Sequence, residues 1–161
     1  MLSPYNYSYN PDTNSYIFTT VHYLEYYVYL NDGSLYFDQY PDFAADVLMF
    51  GFEVRSMQIP ADIRVKYTIL DILINYFGAN RDKILMFICD QSDNRQMSRK
   101  RKFNSWYVSA ADAPITKIDK TICASDGTSC VHVSVMHHFD NPKSHKIAVA
   151  FEKMRQEMEA K

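Results

Sequence analysis

An α+β fold with a largely antiparallel sheet and about three helices follows from three features of this 161-residue chain. Short aromatic and β-branched segments crowd its first 55 positions. One long helical stripe follows at Ala61–Phe77, and after it a single apolar strand, a helical stretch, a strand pair and a last helical stretch succeed one another. The order read from these is β-β-β-β-α-β-α-β-β-α, which gathers helices on a sheet rather than alternating them regularly with parallel strands.

Residues 1–13 are Tyr, Asn, Ser and Pro without a period and read as a poorly ordered arm; residues 14–161 read as a single domain. Ser15–Thr20 is rich in aromatic and β-branched residues and reads as the first strand. Tyr23–Leu30 alternates, with Leu24, Tyr26, Val28 and Leu30 on one face. Asn31-Asp32-Gly33 offers turn chemistry for a hairpin back along Ser34–Asp38. Val47–Arg55 puts Leu48, Phe50, Phe52 and Val54 on one face, with Gly51 on the other marking a bulge or a close backbone approach.

Ala61–Phe77 is the clearest helix. Pro60 and Asp62 suit its amino end and Gly78 its carboxyl end. Ile63, Tyr67, Leu70, Ile74 and Phe77 recur at helical spacing, the last four expected to be buried against the sheet, with Val65, Ile69, Ile72, Leu73 and Tyr76 widening the apolar face. Lys83–Cys89 is a near-continuous apolar run, as in a strand covered on both faces. Ser92–Ser109 reads as a basic helix capped by Ser92 or Asp93. Ile115–Cys123 and Cys130–Phe139 flank the turn Ser125-Asp126-Gly127-Thr128, and Asn141-Pro142 opens a last helix striped by Ile147, Phe151, Met154 and Met158.

A formal charge of −2 argues against a surface that coats nucleic acid generally, so any basic function is local. The amino end lacks a basic region followed by an apolar core, and no apolar run approaches the ~20 residues that span a bilayer. Three cysteines fit a reducing compartment better than a disulfide framework. Together these read as a cytoplasmic protein without a membrane role. Cys123 and Cys130 are expected to be cross-strand neighbours in the reduced state, and Cys89 a small buried hydrophobe.

The densest chemistry lies in ILMFICDQSDNRQMSRKRKFNSWY at 84–107. An apolar strand ends at Asp90, and a helix carrying Arg95, Arg99, Lys100, Arg101 and Lys102 follows. With Phe103, Trp106 and Ala110 facing the core, Arg99 and Gln96 fall on the same side, one and two turns earlier. Asp90, Ser92, Asp93, Arg95, Gln96 and Arg99 therefore form the candidate ligand-binding corner. Helix-start N–H groups and the arginine fork suit a phosphate or carboxylate, as carried by a nucleotide, a nucleic-acid backbone or an acidic protein segment. The plainer reading is that Arg95 and Arg99 pair with Asp90 and Asp93 on a solvated face.

An enzyme centred on Asp90 and Arg99 is a further alternative, although an aspartyl nucleophile of the phosphate-transferring kind has a second Asp two residues on, where this chain has Ser92. Ten of the 13 tyrosines lie in the first 40 residues, and Tyr23, Tyr27 and Tyr29 could present a protein-partner patch. His22, His132, His137, His138 and His145 match no zinc spacing, no glycine-rich phosphate loop is present, and no cofactor is implied.

The chain resembles a family of small, uncharacterised bacterial proteins, a domain of unknown function. The resemblance runs from about Tyr16 to Met154. It is carried by Tyr16-Ile17-Phe18-Thr19-Thr20, the Tyr40-Pro41 turn, CDQSDNRQMSRKRKFNSWY at 89–107 and Asn141-Pro142. It implies one intact domain and assigns no activity, cofactor or partner to any residue.

Overall fold

The computed structural model describes residues 2–89, 96–108 and 110–161, and of residues 96–100 it describes the backbone alone. Its strands are β1 (Tyr7–Asn10), β2 (Ser15–Thr19), β3 (Glu25–Asp32), β4 (Val47–Val54), β5 (Ile84–Cys89), β6 (Ile115–Cys123) and β7 (Cys130–His138). Helices α1 (Ile63–Ala79), α2 (Gln96–Val108) and α3 (Ser144–Glu159) follow β4, β5 and β7. The seven strands make one sheet in the order β1-β2-β3-β4-β5-β7-β6. Neighbours are antiparallel except β4 and β5, which run parallel because α1 crosses between them.

The order of elements is the one expected, but two of the first four segments differ. Residues 7–10, expected in the arm, form β1. The reason is Asn14: its φ of 47° closes a tight turn after Pro11-Asp12-Thr13, and its carbonyl accepts from Leu30 N at 3.0 Å. Conversely, Ser34–Phe37 is a short 3-10 helix, not a returning strand. Asp32 takes up the Ser34 amide at 3.0 Å, and Gly33 N donates to Val47 O at 3.0 Å, so the chain coils instead of reversing.

The amino-terminal segment is fastened to α1. Tyr5 N donates to Thr68 Oγ1 at 2.8 Å, and the Tyr5 hydroxyl donates to Asp62 Oδ2 at 2.7 Å. Arg64 lies 3.8 Å over the Tyr5 ring while its Nε donates to Ser3 O. The Tyr7 hydroxyl donates to Asp71 Oδ2 at 2.8 Å.

α1 begins where Asp62 accepts from Arg64 N at 2.9 Å. It runs through Gly78 and ends at Asn80, whose amide closes onto Tyr76 O at 2.9 Å. Its inward stripe is Val65, Thr68, Ile69, Leu70, Ile72, Leu73 and Phe77. Tyr67 and Ile74, expected to be buried, are only half-buried, and Ile63 is exposed. The stripe is rotated because Thr68, satisfied by Arg64 O and Tyr5 N, can face inward at no polar cost.

α1 and α2 share one face of the sheet with Tyr26, Val28, Leu30, Phe50, Leu85 and Phe87. α3 fills the opposite face with Val47, Ile84, Met86, Val133 and Val135, joined by Phe37 and Phe43 from the 3-10 segments. α3 starts at Ser144, two residues after Pro142, and Glu152 ties it to β6 through Lys120. Arg155, then Lys120, hold the Glu152 carboxyl down at about 2.

Leu70 is 8% exposed and packs between α1 and the sheet. Leu70→Ala is expected to cost ~2–5 kcal/mol in urea unfolding, from lost transfer energy and the cavity left behind.

His137 is 1% exposed, and its Nδ1–H donates to His138 O at 2.8 Å. Burial depresses its pKa below the ordinary value, opposed in part by the hydrogen bond to the His138 carbonyl. A depressed histidine pKa means the unfolded chain binds more protons, so the contribution is full above the unfolded value of about 6.5 and is lost as pH falls below it. Unfolding free energy should therefore drop between pH 7 and pH 5, and His137→Gln should flatten that slope. An equal slope in both proteins would contradict the assignment.

Candidate functional site

Of the six residues expected at the anion-binding corner, Asp90, Ser92, Asp93 and Arg95 lie outside the described residues. Gln96 and Arg99 lie in α2, with their side chains outside the description. What surrounds that corner is described. β5 ends at Cys89 and α2 begins at Gln96, so residues 90–95 connect the carboxyl end of a central strand to the amino end of a helix.

α2 is anchored by aromatics. Phe103 and Trp106 are 3% and 6% exposed, which seats the helix on the sheet as the spacing predicts. Trp106 stacks on Phe52 at 5.5 Å, and Phe103 lies 4.7 Å from Phe87. The Tyr107 hydroxyl donates to Ile115 O at 2.6 Å, fixing the carboxyl end of the helix to β6. Burial pushes the Tyr107 phenol up. Arg101 and Lys102 are exposed, and Lys102 lies 5.3 Å over the Trp106 ring.

Beneath α2 lies a polar cluster that the sequence reading did not single out. Register places Cys89 opposite His132, His132 opposite Thr121, and Ser134 opposite Asp119, all on the α2 face of the sheet. Ser134 Oγ donates to Asp119 Oδ1 at 2.5 Å, and Thr121 Oγ1 lies 2.9 Å from His132 Nδ1. The Lys117 side chain is only 2% exposed. Its ammonium donates to Asn104 Oδ1 at 2.7 Å and to Asp119, and lies 5.5 Å from the centres of the Phe103 and Tyr107 rings. A cavity of about 10 Å³ opens among Phe87, Cys89, Phe103, Asn104, Asp119, His132 and Ser134. That is room for about one water among polar groups. The available signal was the alternation of Lys117, Asp119 and Thr121 along β6 against His132 and Ser134 along β7. Such polar period-2 faces are unusual on strands that a helix covers.

Cys123 and Cys130 are paired in register, as expected, but they form a disulfide, which corrects the expectation of a reduced pair. Their placement directly opposite each other, where the strands meet the 124–129 turn, brings the two sulfurs together. Among the described residues no group of three or more His, Cys, Asp or Glu is placed to hold a metal ion. Nor, among them, is any helix long and apolar enough to cross a membrane.

The tyrosine face is half-open. Tyr27 and Tyr29 lie on the face of β3 away from α1 and are half-buried. Arg55 covers the Tyr27 ring at 5.6 Å. Tyr29 lies across Gly51, where an added Cβ would come within 2.2 Å of its hydroxyl, so Gly51 permits a close approach rather than a bulge. Tyr23 sits before β3, with φ 60° and 91% exposed. A separate concavity of about 380 Å³ lies between the 3-10 segments and α3, with Tyr40, Phe43 and Val149 on its walls and the Asp42–Lys146 ion pair, 2.6 Å, at its rim.

These features define a mixed, mostly antiparallel α+β sheet protein with helices on both faces and a polar pocket under its basic helix. The chain belongs to the family of unknown function DUF6169, whose model matches residues 61–153. The matched span takes in α1, β5, α2, β6, β7 and most of α3. It begins after the Tyr16–Thr20 and Tyr40-Pro41 segments that were expected to carry part of the resemblance. Comparison with curated proteins and with solved structures yields no match.

Proposed function

We propose that the protein binds an anionic ligand where β5 gives way to α2: a nucleotide, a nucleic-acid backbone or an acidic protein segment. The observation that carries this reading is the seat of α2. Its Phe103/Trp106 face is buried on the sheet, and helical periodicity puts positions 96 and 99 on that same side toward its amino end. A helix start supplies unpaired N–H groups and a positive dipole end, and arginine adds a bidentate fork. In this reading the protein acts in the cytoplasm, where an odd number of cysteines fits a reducing environment and the Cys123–Cys130 pair would spend part of its time open.

The test is titration of nucleotides and short single-stranded nucleic acid against wild type and Arg99→Ala, with thermal melts to confirm an unchanged fold. Arg99→Ala should weaken binding about tenfold or more, in line with loss of a charge-assisted contact of ~1.5–3 kcal/mol. Contact with a phosphate backbone should also fall steeply with added salt.

A second reading is a protein-interaction module, favoured by the half-buried Tyr27 and Tyr29 and the exposed Tyr23. It takes precedence if millimolar anions bind neither protein. An enzyme centred on Asp90 and Arg99 would require turnover of the bound ligand that Asp90→Asn abolishes.

A further inference from the structure

All three cysteines of the chain stand on one face of the sheet, at one end of three adjacent strands. Cys89 is the last residue of β5 and pairs with His132. Cys130, two positions before His132, is the first residue of β7 and pairs with Cys123, the last residue of β6. Side chains two apart on a strand share a face, so Cys89 and Cys130 are diagonal cross-strand neighbours, and His132 lies beside both. Diagonal neighbours are roughly 7–8 Å apart, against the roughly 7 Å limit for bridging cysteines without backbone movement. Both residues terminate their strands, where a shift of about 1 Å disturbs the fewest ladder hydrogen bonds. Cys123 lies a further strand away from Cys89 and is offset by the same two residues, at roughly 12 Å by the usual strand spacing and rise.

We propose that Cys89 and the Cys123–Cys130 disulfide form one thiol–disulfide exchange site. The Cys89 thiol gives its proton to His132, and the thiolate attacks Cys130 Sγ. The Cys89–Cys130 bond forms, the Cys123–Cys130 bond breaks, and Cys123 leaves as the thiolate that takes the proton back. One disulfide and one thiol are present before and after, so the step needs no outside oxidant or reductant. The tautomer in which His132 Nδ1–H donates to the Thr121 hydroxyl, 2.9 Å away, makes Nε2 the accepting nitrogen. The cavity shared by Cys89 and His132 gives the two groups room for a bridging water. Exchange moves the thiolate from Cys89, which is 3% exposed, to Cys123 beside the exposed turn at 124–129. The site thereby delivers a sulfur nucleophile from the core to the surface, where it meets disulfides of other molecules.

The experiment is disulfide mapping by peptide mass spectrometry after acid quench and N-ethylmaleimide trapping. Wild type held without reductant at pH 8 should carry the label on Cys123 in part of the population, and Cys89→Ser should abolish that labelling. Cys123→Ser and Cys123→Ala, reduced and then exposed to oxidised glutathione, should close a Cys89–Cys130 bond. Cys130→Ser should give no Cys89–Cys123 bond. In the Cys123→Ser background, His132→Gln should slow closure about tenfold at pH 7 and move its pH profile toward that of an unassisted thiol. The proposal is overturned if Cys89 stays a thiol or ends capped by glutathione in natively melting Cys123 variants. It is equally overturned if Cys130→Ser links Cys89 to Cys123 as readily. An unchanged rate and pH profile in His132→Gln would remove His132 from the step.

Discussion

Trp106→Ala is expected to destabilise the protein by ~3–5 kcal/mol. The indole is 6% exposed, stacks on Phe52 at 5.5 Å, and shares its face of α2 with Phe103, which packs on Phe50 and Phe87. Truncation opens a cavity under the helix and removes one of its two large anchors. Urea unfolding reads the loss. Because the same anchors seat α2 on the sheet, anion affinity at its amino end should fall in this variant even where the protein remains folded. A stable variant with unchanged affinity would show that the seat of α2 does not govern the site.

Tyr5→Ala is the second large effect, at about 3 kcal/mol or more. Its ring stacks 6.0 Å from Phe18 and lies under Arg64, and its hydroxyl joins Asp62 to the amide of Val21. Tyr5→Phe keeps the ring and loses only the hydroxyl's hydrogen bonds, for ~1–2 kcal/mol. This pair of variants decides between a fastened segment and the arm that the sequence suggests. Were residues 2–10 an unattached arm, both substitutions would leave the unfolding midpoint unchanged.

The difference between expectation and structure at that end of the chain has a local cause. Tyr5 and Tyr7 are held by long-range partners on α1, Asp62, Thr68 and Asp71, which no window of sequence around them contains. Asn14 was a legible turn signal, since asparagine tolerates positive φ, but the strand before it is only four residues long. Asp32-Gly33 misled in the opposite direction. Turn chemistry specifies a reversal only if a partner strand can follow, and Val47 on β4 had already taken the Gly33 amide. The later elements were plain because their patterns are long: the apolar run of β5, the alternation of β7 and the stripe of α3, apart from its exposed last member Met158, each depend on their own residues.

The corner at the start of α2 was legible as a concentration of charge, and the Phe103/Trp106 seat behind it was read from spacing alone. The cluster beneath the helix was not legible as a unit. Lys117, Asp119, His132 and Ser134 come from two strands whose register is set by tertiary pairing, and Asn104 joins them from a helix. The cysteines show the same limit. Their cross-strand placement follows from the turn at Asp126-Gly127, whereas the position of Cys89 beside Cys130 requires knowing that β7, and not β6, lies next to β5.

Anion binding at the start of α2 is decided by a calorimetric titration of wild type and Arg99→Ala with a nucleoside triphosphate and with a short single-stranded oligonucleotide, at low and at high salt. Wild type should bind saturably, Arg99→Ala should lose about tenfold or more at unchanged melting temperature, and salt should weaken binding of the oligonucleotide. Equal affinity of the two proteins, or no heat with either ligand at millimolar concentration, would contradict binding there.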